Sequence, residues 1–125
     1  MKQFKDLQPG DIIYYYDHCK MKPRKVISCE MKEFENKIDT WRGYEVRKEK
    51  KLTITCEHGD PITICCTYNN GEITMAWGNS GKIYSCREAA EDKLNKLKNY
   101  RKRKIQEAQE RVNRYTNIMN KYEIL

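Results

Sequence analysis

Residues 51–77 read KLTITCEHGDPITICCTYNNGEITMAW, and the fold turns on how this stretch is paired. Leu52, Ile54 and Cys56 alternate with Thr53, Thr55 and Glu57. Successive side chains of a strand point to opposite faces, so one face here is apolar and the other polar. His58-Gly59-Asp60-Pro61 breaks the pattern with turn-forming residues, and Ile62, Ile64 and Cys66 resume it. The two runs are expected to form an antiparallel hairpin. Asn69-Asn70-Gly71 marks another hairpin turn, because Asn and Gly accept the positive φ such turns require. Residues 72–77 are then expected to return with Ile73, Met75 and Trp77 on one face, and Ile73 and Met75 are expected to be largely buried.

Working outward, the same grammar repeats. Pro9-Gly10-Asp11 is a turn before Ile12-Ile13-Tyr14-Tyr15-Tyr16, a run rich in β-forming residues. Residues 24–31 (RKVISCEM) mix β-branched side chains with charge and read as another strand. Residues 34–42 (FENKIDTWR) are irregular and read as a loop or one turn of helix. Gly78-Asn79-Ser80-Gly81 is a turn before a short closing strand at 82–84. Five to six short strands without intervening helices predict a small antiparallel β-barrel or curled sheet over residues 1–84. A chain segment of that length can just close one core.

Residues 85–125 differ. All three prolines and all six glycines lie at or before position 81. Ser85-Cys86-Arg87-Glu88 fits a capping box, in which a hydroxyl and a carboxylate satisfy the first free amides of a helix. Ala90, Leu94, Leu97, Ile105, Ala108, Val112, Tyr115, Met119 and Tyr122 follow at steps of three and four, a seam interrupted at Arg101. The fold class expected is therefore α+β, with one long C-terminal helix at 85–125 after the sheet. A continuous helix over 86–122 would extend for about 55 Å. Its inner half can dock on the sheet domain, and its outer half needs another surface.

The chain has 125 residues, with 25 Lys and Arg against 18 Asp and Glu, a net charge of +7. Residues 81–125 carry +6 of that excess. No apolar stretch approaches the ~18 residues of a membrane span, and MKQFKDLQPGD has no apolar signal core. A cytoplasmic protein with no membrane association is expected. The six cysteines, at 19, 29, 56, 65, 66 and 86, show no C-x-x-C pair, so neither zinc nor disulfides are expected; Cys56 and His58 are the first candidates for a metal. His18 and His58 each neighbour a thiol and a carboxylate, but no phosphate loop or nucleophile elbow accompanies them. No catalytic residue, no cofactor and no enzymatic activity is expected.

Two sets of residues invite binding. The cations Lys93, Lys96, Arg101, Lys102, Arg103, Lys104, Arg111 and Arg114 form a field that attracts phosphate backbones by releasing counterions. A nucleic acid or nucleoprotein complex is the partner expected, with an acidic protein as the other reading. The bland reading is a solvated helix held by Glu107–Arg111 and Glu110–Arg114 pairs. The apolar positions Ile105, Ala108, Val112, Tyr115, Met119 and Tyr122 are the candidate protein interface, for a homodimer or another protein. Among the aromatics Tyr14, Tyr15, Tyr16, Trp41, Tyr44 and Trp77, exposed members could stack bases, whereas the plainer reading buries them in the core.

Phe4-Lys5-Asp6-Leu7-Gln8-Pro9-Gly10-Asp11-Ile12-Ile13-Tyr14 resembles the opening of small barrels of the Src-homology-3-like type. Gly81-Lys82-Ile83-Tyr84-Ser85-Cys86-Arg87-Glu88-Ala89-Ala90 resembles a strand-to-helix junction of small uncharacterised phage and mobile-element accessory proteins. The resemblance implies an accessory protein acting by contact in the host cytoplasm, for example on a host or defence machine or as a virion component.

Overall fold

The computed structural model describes residues 1–79 and 81–125. They form two compact units, Met1–Ala90 and Glu91–Leu125. In the first, a 3-10 turn at Phe4–Asp6 precedes β1 (Ile12–Asp17), β2 (Lys20–Thr40), β3 (Gly43–Cys56), β4 (Ile62–Cys65), β5 (Met75–Gly78) and β6 (Gly81–Tyr84). The helix α1 (Arg87–Met119) begins in this unit and makes up most of the second. The turn expected at 78–81 includes Ser80, which lies outside the described residues.

The strands form one antiparallel sheet in the order β4-β3-β2-β1-β6-β5. The sheet is not closed, so the closed barrel is not seen. Its edges, β4 and β5, are four residues each and approach at one corner. There Asn79 Nδ2 donates to the Pro61 carbonyl at 2.9 Å. A Cβ at Gly78 would stand 3.0 Å from Ile62 Cγ2, so a side chain there would push the edges apart. Closure fails because the chain after β4 leaves the ladder. Phe4 N–H donates to the Ile73 carbonyl and Lys5 N–H to that of Gly71, so residues 71–73 bind the N-terminal segment instead.

This corrects the hairpin expected at Asn69-Asn70-Gly71. Asn70 does take a positive φ of 54°, but Asn70 N–H donates to the Cys66 carbonyl and the segment is a local turn. β4 pairs with β3, and β5 pairs with β6. The phase of β5 is also one residue off the expectation. Ala76 is buried, Met75 and Trp77 are exposed, and Ile73 is half-buried. In β3 and β4 the alternation reads true: Leu52, Ile54, Cys56, Ile62 and Ile64 are all buried, with Phe4, Leu7, Ile13, Val26, Cys66 and Ile83.

The larger correction concerns residues 34–42. Residues 34–40 are not a loop but the outer part of β2, paired with β3 from Phe34↔Glu49 to Thr40↔Gly43, and Trp41 and Arg42 form the turn between the two strands. β1 pairs only with residues 20–25 of β2 and β4 only with residues 51–54 of β3, so this outer part is a two-stranded ribbon. Its tip is fixed by Thr40, whose Oγ1 accepts from Arg42 N–H at 3.3 Å and donates to the Gly43 carbonyl at 3.0 Å. Gly43 has φ 116°, a backbone geometry that disfavours any Cβ.

β1 is covered on both faces. Tyr15 packs on the main core, while Tyr14 and Tyr16 pack on a second cluster of Tyr84, Ala89 and Ala90. All three tyrosines are therefore half-buried. Ser85 does not serve as the capping hydroxyl. It is buried and donates to the Lys2 carbonyl at 2.6 Å, and the helix starts at Arg87.

Candidate nucleic-acid interface

α1 is uninterrupted because residues 82–125 contain neither Gly nor Pro and are rich in Lys, Arg, Glu, Gln, Ala and Leu, all good helix formers. From residue 98 onward every residue is exposed. Residues 93–104 hold seven cations and no carboxylate. That concentration extends over about 18 Å of helix.

The helical repeat sorts the eight expected cations. At about 100° per residue, Lys93, Lys96, Arg103, Lys104, Arg111 and Arg114 fall within about 100° of arc. Arg101 falls outside this face, in line with Ile105, Ala108 and Val112, and Lys102 lies on the opposite side. Six of the eight therefore share a face and two do not. Tyr100 sits on the same basic face. Its ring centroid is 5.5 Å from the Arg103 guanidinium, 5.5 Å from Lys104 Nζ and 5.8 Å from the Arg101 guanidinium.

Glu107 is the one carboxylate on this face. It accepts from Lys104 at 3.4 Å and lies 3.9 Å from Arg103. The i,i+4 pairs expected toward Arg111 and Arg114 give way to these pairs on the N-terminal side of Glu107. Among the described residues, Lys93, Lys96, Arg111 and Arg114 have no carboxylate within ion-pair distance.

The apolar positions Ile105, Val112, Tyr115 and Met119 are exposed along an adjoining stripe with Ala108. Ile105, Ala108 and Val112 line a shallow groove of about 300 Å³ with Gln109 and Asn113. Tyr122 lies past the last residue of α1, in the turn that follows. Ile118 is also exposed.

The metal candidates are not brought together. β3 ends at Cys56, whose side chain is buried, while His58 is exposed in the turn beyond it. Among the described residues no group of three His, Cys, Asp or Glu side chains is placed to hold an ion. All six cysteines are free thiols. Burial pushes the thiols of Cys29, Cys56 and Cys66 up from their ordinary pKa. Cys65 is exposed and lowered, because Thr67 hydrogen-bonds its sulfur. His18 pairs with Asp17, whose carboxyl is held low by Lys22 first and by His18 second. The neighbouring thiol, Cys19, lies 3.7 Å from the Tyr16 hydroxyl.

Of the six aromatics, Trp41, Tyr44 and Trp77 are exposed, which corrects the reading that buried them. Trp41 is 87% exposed at the ribbon tip with the Arg42 guanidinium 4.5 Å from its ring. The ribbon was hidden in the sequence because its two strands have no buried face to impose alternation. Among the described residues no helix is long and apolar enough to cross a membrane. Comparison with protein-family models, curated proteins and solved structures finds no match to the chain.

Proposed function

We propose that this protein is a non-enzymatic binding module that contacts nucleic acid, alone or in a nucleoprotein complex, through the basic face of α1. One observation carries the reading: residues 93–104 place seven cations without a carboxylate on an exposed helix. Among the described residues, four cations of the face have no carboxylate within ion-pair distance. Cations arranged in this way exchange condensed counterions for protein charge when a phosphate backbone docks. Tyr100, amid those cations, offers a ring for stacking on an unpaired base. The test is purification at low and high salt with absorbance ratios recorded. Nucleic acid should co-elute at low salt and be lost at high salt.

The exposed stripe of Ile105, Ala108, Val112, Tyr115 and Met119 favours a second reading, a protein–protein module, inhibitory or structural, that dimerises or docks through the outer helix. Light scattering decides whether the stripe has a self-partner. The resemblance of residues 4–14 and 81–90 supports reading the curled sheet as a Src-homology-3-like barrel left open. It also supports an accessory protein of a phage or mobile element working in the host cytoplasm.

A further inference from the structure

Arg24 on β2 lies directly across from Ile13 of β1, on the face that carries the main core. Its guanidinium packs over the Tyr15 ring at 4.3 Å from the centroid. It also lies against the β3–β4 turn, where a Cβ at Gly59 would stand 3.0 Å from the nearest guanidinium nitrogen. Gly59 has φ 89°, so both the backbone geometry and the close approach of Arg24 favour glycine there. A guanidinium carries five N–H donors in a fixed plane. Among the described residues those of Arg24 have no carboxylate or carbonyl acceptor. The guanidinium nitrogens reach solvent, so a cation held in place by packing keeps its donors open to a ligand.

The space beside it supplies one. A cavity of about 410 Å³ is lined by Tyr15, Arg24, Lys25, Glu57, His58 and Gly59, along with Ile12 and Pro23. That volume falls within the usual range of small-ligand sites, about 300–1,000 Å³. Glu57 would oppose an anion, but it lies 3.7 Å from Lys25 Nζ and is neutralised by it. Among the described residues Arg24 supplies a charge with no carboxylate partner, Lys25 is engaged by Glu57, and His58 lines the cavity as a second donor. Fork-shaped guanidinium donors match the spacing of oxygens on phosphate.

We propose that this cavity is an oxyanion site that takes the terminal phosphate of a small phosphomonoester. A guanidinium fork that takes two oxygens, with His58 beside it for a third, suits a terminal phosphate with three free oxygens better than an internal phosphodiester with two. The site belongs to the sheet unit, uses none of the α1 cations, and stands or falls separately from the nucleic-acid reading.

The test is amide NMR of the full chain titrated with inorganic phosphate, then with a 5′-mononucleotide, then with a dinucleotide whose only phosphate is internal. Phosphate and the mononucleotide should shift the Gly59 and Arg24 amides saturably, and the dinucleotide should not. Arg24→Gln should weaken the effect about tenfold or more, as expected for losing a charge-assisted hydrogen bond. His58→Gln, at an exposed turn residue, should fold normally and weaken it several-fold. It decides the matter if Arg24→Gln fails to fold. Replacing Lys93, Lys96, Arg111 and Arg114 should leave the Gly59 shift unchanged. Absence of saturable shifts, equal shifts in His58→Gln and wild type, or equal response to the internal phosphodiester overturns the proposal.

Discussion

Replacing Ile54 by Ala tests the sheet's phase and core most sharply. Ile54 sits on β3 between β2 and β4, opposite Cys29 and Ile62, and has no exposed surface. Its loss removes buried methyl and methylene groups and leaves a cavity bounded by strands on both sides. Such changes cost about 2–5 kcal/mol. In a unit of this size each kcal/mol lowers the melting temperature by about 4–8 °C, so a loss near 3 kcal/mol reads as roughly 10–25 °C. Met75→Ala is the matched control: Met75 is 42% exposed, and its neighbour Ala76 takes the buried position. It should cost less than about 1 kcal/mol, as expected for a residue outside the core. Urea denaturation followed by far-UV circular dichroism measures both. Equal losses in the two variants would place Met75 in the core and refute the register of β5 against β6.

Ser85→Ala should cost about 1–3 kcal/mol, because it orphans the Lys2 carbonyl that the buried hydroxyl satisfies; denaturant midpoints check this. Iodoacetamide at neutral pH should alkylate Cys65 well before Cys29, Cys56 and Cys66, since the thiolate is the nucleophile and its formation is favoured at Cys65 and opposed at the other three; peptide mass mapping over time reads the order. The Asp11 carboxyl is held low by Lys2 first and by the Gln8 amide second. Its contribution is present above the unfolded pKa of about 3.9 and is lost as pH falls through the lower folded value. Asp11→Asn should therefore flatten the acid limb of the stability profile and leave its alkaline limb unchanged.

What the sequence made legible follows from where burial acts. Leu52, Ile54, Ile62 and Ile64 alternate visibly because one face of β3 and β4 is in the core and the other in water. The ribbon arm has no such contrast. Glu35 faces Lys48 and Lys37 faces Val46, with solvent around both pairs, so no period marks it as strand. The phase of β5 is not legible in the sequence, because Met75 and Trp77 are large and apolar yet exposed, while the small Ala76 is inside. Ser85 matched a capping pattern, but its hydroxyl is used by Lys2, far away in sequence. The basic helix was legible as composition. Its division into a six-cation face plus Arg101 and Lys102 needed the unbroken helical repeat. The Arg24 cavity is not legible in the sequence, since it depends on the Arg24 side chain lying against both Tyr15 of β1 and Gly59 of the β3–β4 turn.

The central claim is that the face carrying Lys93, Lys96, Arg111 and Arg114 neutralises phosphates. The direct measurement is fluorescence anisotropy of labelled single- and double-stranded oligonucleotides across a salt series, for the wild type and for the variant with these four residues changed to Gln. If all four contact phosphate, the wild-type slope of log affinity against log salt should exceed that of the variant by about 3 for single strands and nearly 4 for duplex. Circular dichroism should show the variant folded, because exposed charges contribute little to stability. Identical slopes and affinities in the two proteins, or no binding by the wild type at low salt, would contradict the account. Loss of function in a folded Val112→Asp alongside either result would support the protein–protein reading in its place.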